Sequence, residues 1–186
     1  MSGRSQRSSS KTDTAVIRGV ILLLALIVSS CLGRSDERTS GAGENPRSSS
    51  DSAFAGVQER GQRAMGVDQY TSTHNFEPLP DGGRISLERD PADSAGVARI
   101  REHMGRIVRA FADGDFTIPG FVHAGNVPGT AVMSARKSLI RYMTDSLPGG
   151  AQVRLQSSDP VAISAIHEFL AFQRHDHRVP NSGTPH

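Results

Sequence analysis

Two stretches decide the fold: Leu79-Pro80-Asp81-Gly82-Gly83-Arg84-Ile85-Ser86-Leu87-Glu88 and Leu147-Pro148-Gly149-Gly150-Ala151-Gln152-Val153-Arg154-Leu155-Gln156. Each opens on a Pro/Gly turn signal, and the glycines are expected to supply the positive φ of a tight reversal. Each continues as a strand, since Ile85 and Leu87, like Val153 and Leu155, alternate with polar residues. Each then reaches Asp-Pro, at Asp90-Pro91 and Asp159-Pro160, where Asp is expected to cap a helix and Pro to occupy its first position. Equivalent points stand 67 to 69 residues apart, so the order turn, strand, cap, helix occurs twice.

Working outward, Thr73 to Leu79 and Leu139 to Asp145 are the expected leading strands. The helices following each Asp-Pro carry one apolar stripe apiece. Val97, Ile100, Met104, Ile107, Val108 and Phe111 form the first, and Ala162, Ile163, Ile166, Phe169 and Leu170 the second. The pattern predicts an α+β fold made of two ββα units, with a four-stranded antiparallel sheet and both helices on one face. Ala112 to Val132 lies between the units. It mixes Gly and Pro with Phe116, Ile118, Phe121 and Val122, and reads as a long irregular loop of the kind that carries function when ordered.

The N-terminus reads as an address. Arg4, Arg7, Lys11 and Arg18 stand against one acid, Asp13, and precede the apolar run Val20 to Val28. A basic flank and a short apolar core make an export signal, and the run falls well short of the ~20 residues of a membrane span. Val28-Ser29-Ser30-Cys31 resembles a lipobox, in which small residues admit the peptidase and the thiol takes the lipid. Residues 1–30 are therefore expected to be a lipoprotein signal peptide and Cys31 the lipidation site. Leu32 is not the Asp that retains many lipoproteins at the inner membrane. The resemblance favours the outer membrane, with the domain on its periplasmic or extracellular side.

Residues 31–52 hold almost no apolar side chain and read as a flexible linker, spanning roughly 25 Å for about 20 residues. The expected domain is 53–178, followed by a disordered tail over 179–186. Without the leader, 17 Lys+Arg face 18 Asp+Glu, which excludes a strongly basic surface seeking nucleic acid. The lone cysteine closes no disulfide, so stability must come from a hydrophobic core.

Walker, GxSxG, HExxH and CxxC motifs are absent. Histidine is the one enriched functional type. His74 falls in the first strand, His103 in the first helix, His123 in the long loop and His167 in the second helix. Together they are the candidate metal set, suited to copper or zinc, with Met65, Met104 or Met133 as a soft ligand for copper. The plainer reading makes each a boundary residue with one hydrogen bond. His175 and His177, two apart near the end, read as an exposed pair.

The runs Met65-Gly66-Val67-Asp68-Gln69, Thr73-His74-Asn75-Phe76, Asp81-Gly82-Gly83, Asp90-Pro91-Ala92-Asp93, Phe111-Ala112-Asp113-Gly114-Asp115-Phe116 and Ala165-Ile166-His167-Glu168-Phe169-Leu170 resemble a family of small bacterial proteins of unknown function. The likeness covers Met65 to His177. Members commonly have two histidines where this chain has His74-Asn75. Some carry the label aspartate carbamoyltransferase, whose phosphate loop needs an arginine that Ser72-Thr73-His74 does not offer. The expected function is a lipid-anchored, non-enzymatic binding module. It would be held to the membrane by its anchor and meet a protein or small ligand at the Ala112 to Val132 loop. The alternatives are a His/Met site for copper or another soft divalent metal, and an enzyme with His123 or His74 as general base.

Overall fold

The computed structural model describes residues 46–180; the leader, Cys31, the linker through residue 45 and the tail from residue 181 lie outside the described residues. In chain order the elements are α1 (Pro46–Met65), β1 (Ser72–Leu79), β2 (Gly82–Arg89), α2 (Ser94–Ala112), α3 (Thr117–His123), α4 (Thr130–Ala135), β3 (Ile140–Leu147), β4 (Gly150–Ser157) and α5 (Pro160–Asp176). The strands form one antiparallel sheet in the order β1-β2-β4-β3. The fold is α+β, as the two ββα signals predict.

The duplication governs the sheet. Each strand of the second unit starts 68 positions after its counterpart, Ile140 after Ser72 and Gly150 after Gly82. Ile85 and Val153, equivalent under that offset, face each other across β2 and β4, so a pseudo-two-fold axis passes between them. Period-2 alternation sends Phe76, Ile85, Leu87, Val153 and Leu155 to one face, where α2 and α5 cover them. The helices are exchanged: α2 lies over β3 and β4, and α5 over β1 and β2. Ile100 of α2 and Ile166 of α5 have no exposed surface. Arg84, Ser86, Gln152 and Arg154 alternate to the opposite face.

Gly82 alone among the hairpin glycines takes a positive φ, at 135°. Gly149 and Gly150 do not, which corrects the expectation for the second turn. Their constraint is steric: a Cβ on Gly150 would run into the Leu87 carbonyl, and one on Gly149 into that of Arg89. The same holds in mirror fashion at Gly82, where a Cβ would meet the carbonyl of Leu155.

Three boundaries differ from the sequence reading. Asp159 caps α5 as expected, accepting from Ala162 N at 2.7 Å with Pro160 at the helix start. In the first unit the cap is Asp93, accepting from Gly96 N at 2.9 Å and paired with Arg89 at 2.7 Å. Asp90 bonds Ala92 N in a preceding turn, because the connection from β2 to α2 is two residues longer than that from β4 to α5.

The Ala112 to Val132 segment is no irregular loop: it folds into α3 and the start of α4. Both helices are too short to show a 3.6-residue period in sequence. Gly114 (φ 76°) closes α2, Ala124 (φ 54°) closes α3, and Gly129 (φ 80°) opens α4, while Pro119, Val122, Val127 and Met133 are buried. Finally, α1 begins at Pro46, inside the expected linker. Arg178 secures it by donating to the Ser50 carbonyl (2.9 Å) and to Asp51 (2.9 Å), with its guanidinium 4.4 Å from the Phe54 ring centre. Among the described residues no helix is long and apolar enough to cross a membrane.

Candidate functional site

Helix α1 buries Val57, Gln58, Gly61 and Met65, a stripe repeating every four residues, against the open edge of the domain beside α2 and α3. Beneath it lies a cavity of about 80 Å³. Phe76, Ile85 and Leu87 of the sheet form its apolar floor. Met104 and Ile107 of α2, Ile118 and Val122 of α3, and Phe169 of α5 form its walls. Polar groups enter from six directions: His74 on β1, Gln69 on the turn before it, His103 on α2, His123 at the end of α3, Gln173 on α5, and His177 just past α5.

Three of the four candidate histidines therefore share one site. His74 points inward because it alternates in phase with Phe76, and its ring stacks on that of His177, centroids 4.8 Å apart. His103 is 7% exposed. Among the described residues its Nδ1 has no hydrogen-bond partner. His123 is tied on both sides, Nδ1 to the Asp176 carboxylate and Nε2 to Gln173 Oε1 at 2.9 Å. The fourth, His167, is elsewhere: its Nε2 meets the Leu79 carbonyl at 2.9 Å, the single hydrogen bond of a boundary residue. His177 takes its place at the cavity, whereas its neighbour in the exposed pair, His175, does face solvent.

Burial sets the electrostatics. It lowers His74 to about 4, helped by the nearby charge of His103. It lowers His103 to about 4, helped by Arg106 and opposed by the bond to Ala64. His177 falls to about 3 through burial and then the charges of His74 and His123, against the opposing pull of Asp176. These three imidazoles are neutral near pH 7. Among the described residues no Asp, Glu, Lys, Arg, Ser, Thr or Cys lines the cavity.

Four buried polar atoms on this one cavity have no hydrogen-bond partner among the described residues: Gln69 Oε1, His103 Nδ1, Gln173 Nε2 and His177 Nδ1. Such groups cost on the order of 1–3 kcal/mol each when left unmade, so their gathering at one place asks for an explanation. Gly61 makes room for one of them, since a Cβ there would lie 2.8 Å from Gln69 Oε1. Among the described residues no three His, Cys, Asp or Glu side chains are arranged to hold a metal ion. Met65 and Met104 do line the cavity beside His74 and His103, while Met133 is buried in the main core.

Sequence reasoning reached His74, His103 and His123 but missed Gln69, Gln173, Asp176 and His177. The signal for the last was its helical phase, as Phe169, Gln173 and His177 recur every four residues and continue the buried stripe of α5. No family model, curated protein or solved structure matches the chain.

Proposed function

We propose that this chain is a lipid-anchored protein of the cell envelope whose domain acts as a non-enzymatic binding module, holding a small ligand in the cavity beneath α1. The export leader and the lipobox ending at Cys31 support the address. The observation that carries the ligand is the set of four unpartnered polar atoms on one largely apolar cavity. Apolar walls with a few convergent polar groups are the usual make-up of a small-molecule site. Helix α3, from the Ala112 to Val132 segment, supplies one wall, which is where the sequence points for a partner. The His123–Asp176 pair has the form of an oriented base, yet among the described residues no hydroxyl, thiol, amine or carboxylate lines the cavity to act with it.

A ligand site sacrifices stability that a purely structural cluster would keep. Gln69→Met preserves side-chain length and removes the unmet acceptor, giving up only a bond to the Val67 carbonyl at 3.3 Å and a 3.9 Å contact to the Met65 sulfur. The variant is expected to melt about 3–5 °C higher in the absence of ligand, from recovery of about 1 kcal/mol. A lower melting temperature would mean that Gln69 is there for the fold, and the ligand reading would fall.

A second reading has its own observation. Met65 and Met104 place two thioethers among neutral imidazoles with no carboxylate, a donor set suited to monovalent copper rather than zinc. Metal analysis of purified protein, with Met104→Leu as control, tests it.

A further inference from the structure

The hydrogen-bonding character of two cavity groups is fixed by what their other atoms do. Gln69 Nε2 donates to the Val67 carbonyl, which leaves Oε1 as the atom facing inward, and a carboxamide oxygen only accepts. Gln173 Oε1 meets His123 Nε2 at 2.9 Å, which leaves its Nε2 as an unmet donor. One belongs to the turn before β1 and the other to α5, and both are more than nine-tenths buried. The unmet acceptor calls for an N–H or O–H donor on the ligand, and the unmet donor for a lone pair or a ring face.

The same space argues against ions. An ammonium group would satisfy Gln69 Oε1, but among the described residues no carboxylate lines the cavity to balance its charge, and the Arg106 guanidinium already acts on His103. Burying an unpaired charge is far costlier than burying a neutral donor. An anion would meet the Gln69 oxygen head-on, with the Gln173 amide as its one fixed donor. Size sets the last limit: about 80 Å³ corresponds to roughly three waters at ~30 Å³ each.

We infer that the cavity takes a small uncharged organic molecule of a few heavy atoms, which presents an N–H or O–H donor to Gln69 Oε1 and lays an apolar body on Phe76, Leu87 and Met104. This rests on the ligand-binding reading above and names its chemical class.

Three five-membered rings test it, because they differ in little but donor and charge. Pyrrole is a neutral donor, furan has the same shape without the N–H, and pyrrolidine is a cation at pH 7. The full chain, labelled with carbon-13 at its methionine methyls, carries its own reporters: Met65 and Met104 line the cavity, while Met143 lies on the opposite face of the sheet. Pyrrole should shift the Met65 and Met104 methyl signals saturably and leave Met143 alone. Furan should bind at least about tenfold more weakly, the factor for losing one buried hydrogen bond. Pyrrolidinium should leave all three signals in place.

Gln69→Met should erase the preference for pyrrole over furan while keeping the chain folded. Equal binding of furan and pyrrole, or tighter binding of pyrrolidinium, would overturn the donor assignment and leave small-ligand binding intact. If none of the three rings moves the Met65 or Met104 signal, the assignment falls as well. The binding reading is judged separately, by the melting temperature of Gln69→Met without any ring present.

Discussion

His74 and His177 meet ring on ring, centroids 4.8 Å apart and planes 24° from parallel, although one belongs to the first strand and the other to the last turn of the domain. Their stack ties the first strand to the residue just past the last helix, beside Phe76, whose ring centre is 5.5 Å from that of His177. Two imidazoles this close and this buried cannot both carry charge without large cost.

That cost becomes a pH dependence. The pKa of His74 is about 4 when folded against 6.5 as the ordinary value, and His103 and His177 are lowered in the same direction. Below pH 6.5 the unfolded chain takes up protons that the folded chain refuses. Stability is therefore full above about 6.5 and is lost as pH falls toward 4. For His74 alone the shift corresponds to roughly 3 kcal/mol. Melting temperature followed from pH 7 to pH 4 should fall steeply, and His74→Phe should flatten the curve. A flat curve for the unmodified chain would contradict the burial of these rings.

The pseudo-two-fold sheet makes paired demands on packing. Ile100→Ala and Ile166→Ala remove equivalent side chains with no exposed surface, and each should cost about 2–5 kcal/mol in denaturant unfolding. Gly150→Ala should cost about 1–3 kcal/mol because its methyl would meet the Leu87 carbonyl. Gly125→Ala, with nothing near its position, should cost far less. Similar losses at both glycines would mean that β2 and β4 lie farther apart than described.

Cys31→Ser should abolish incorporation of labelled palmitate and release the chain from membranes, whereas the unmodified chain should stay with them. This prediction comes from the sequence alone, since Cys31 is outside the described residues. Unmodified chain that fractionates as soluble and carries no lipid would remove the anchor from the proposal.

What was legible in the sequence was whatever local chemistry dictates. Alternation at Ile85, Leu87, Val153 and Leu155, with Pro-Gly turns ahead of them, places both hairpins. The stripes through Ile100 and Ile166 place both long helices. Asp93 was hidden because Asp90-Pro91 offers the same cap signal three residues earlier, and only the longer connection decides between them. Helices α3 and α4 were hidden by their brevity. The site was legible only in fragments: each histidine shows in the sequence, but their meeting depends on the exchange of α2 and α5 across the sheet. Gln69 and Gln173 carry no signal beyond a polar residue in a buried phase.

The duplication itself has a consequence for how the two halves divide their work. The strand offset carries His74 onto Tyr142, and alignment of the helix caps Asp93 and Asp159 carries Phe111 onto His177. Tyr142 meets Phe111 edge to face at 5.8 Å between ring centres, where His74 stacks on His177 at 4.8 Å. Phe116 then closes on Phe111 at 4.4 Å, and aromatic rings fill that side. The same pair of positions is thus a closed aromatic cluster on one side of the sheet and a pair of imidazoles beside an open cavity on the other. Because the helices are exchanged, each pair joins a strand of one repeat to the helix of the other. Two identical repeats, whichever was copied, would therefore set one imidazole against one carbocyclic ring at both places, and the pair of imidazoles would be lost.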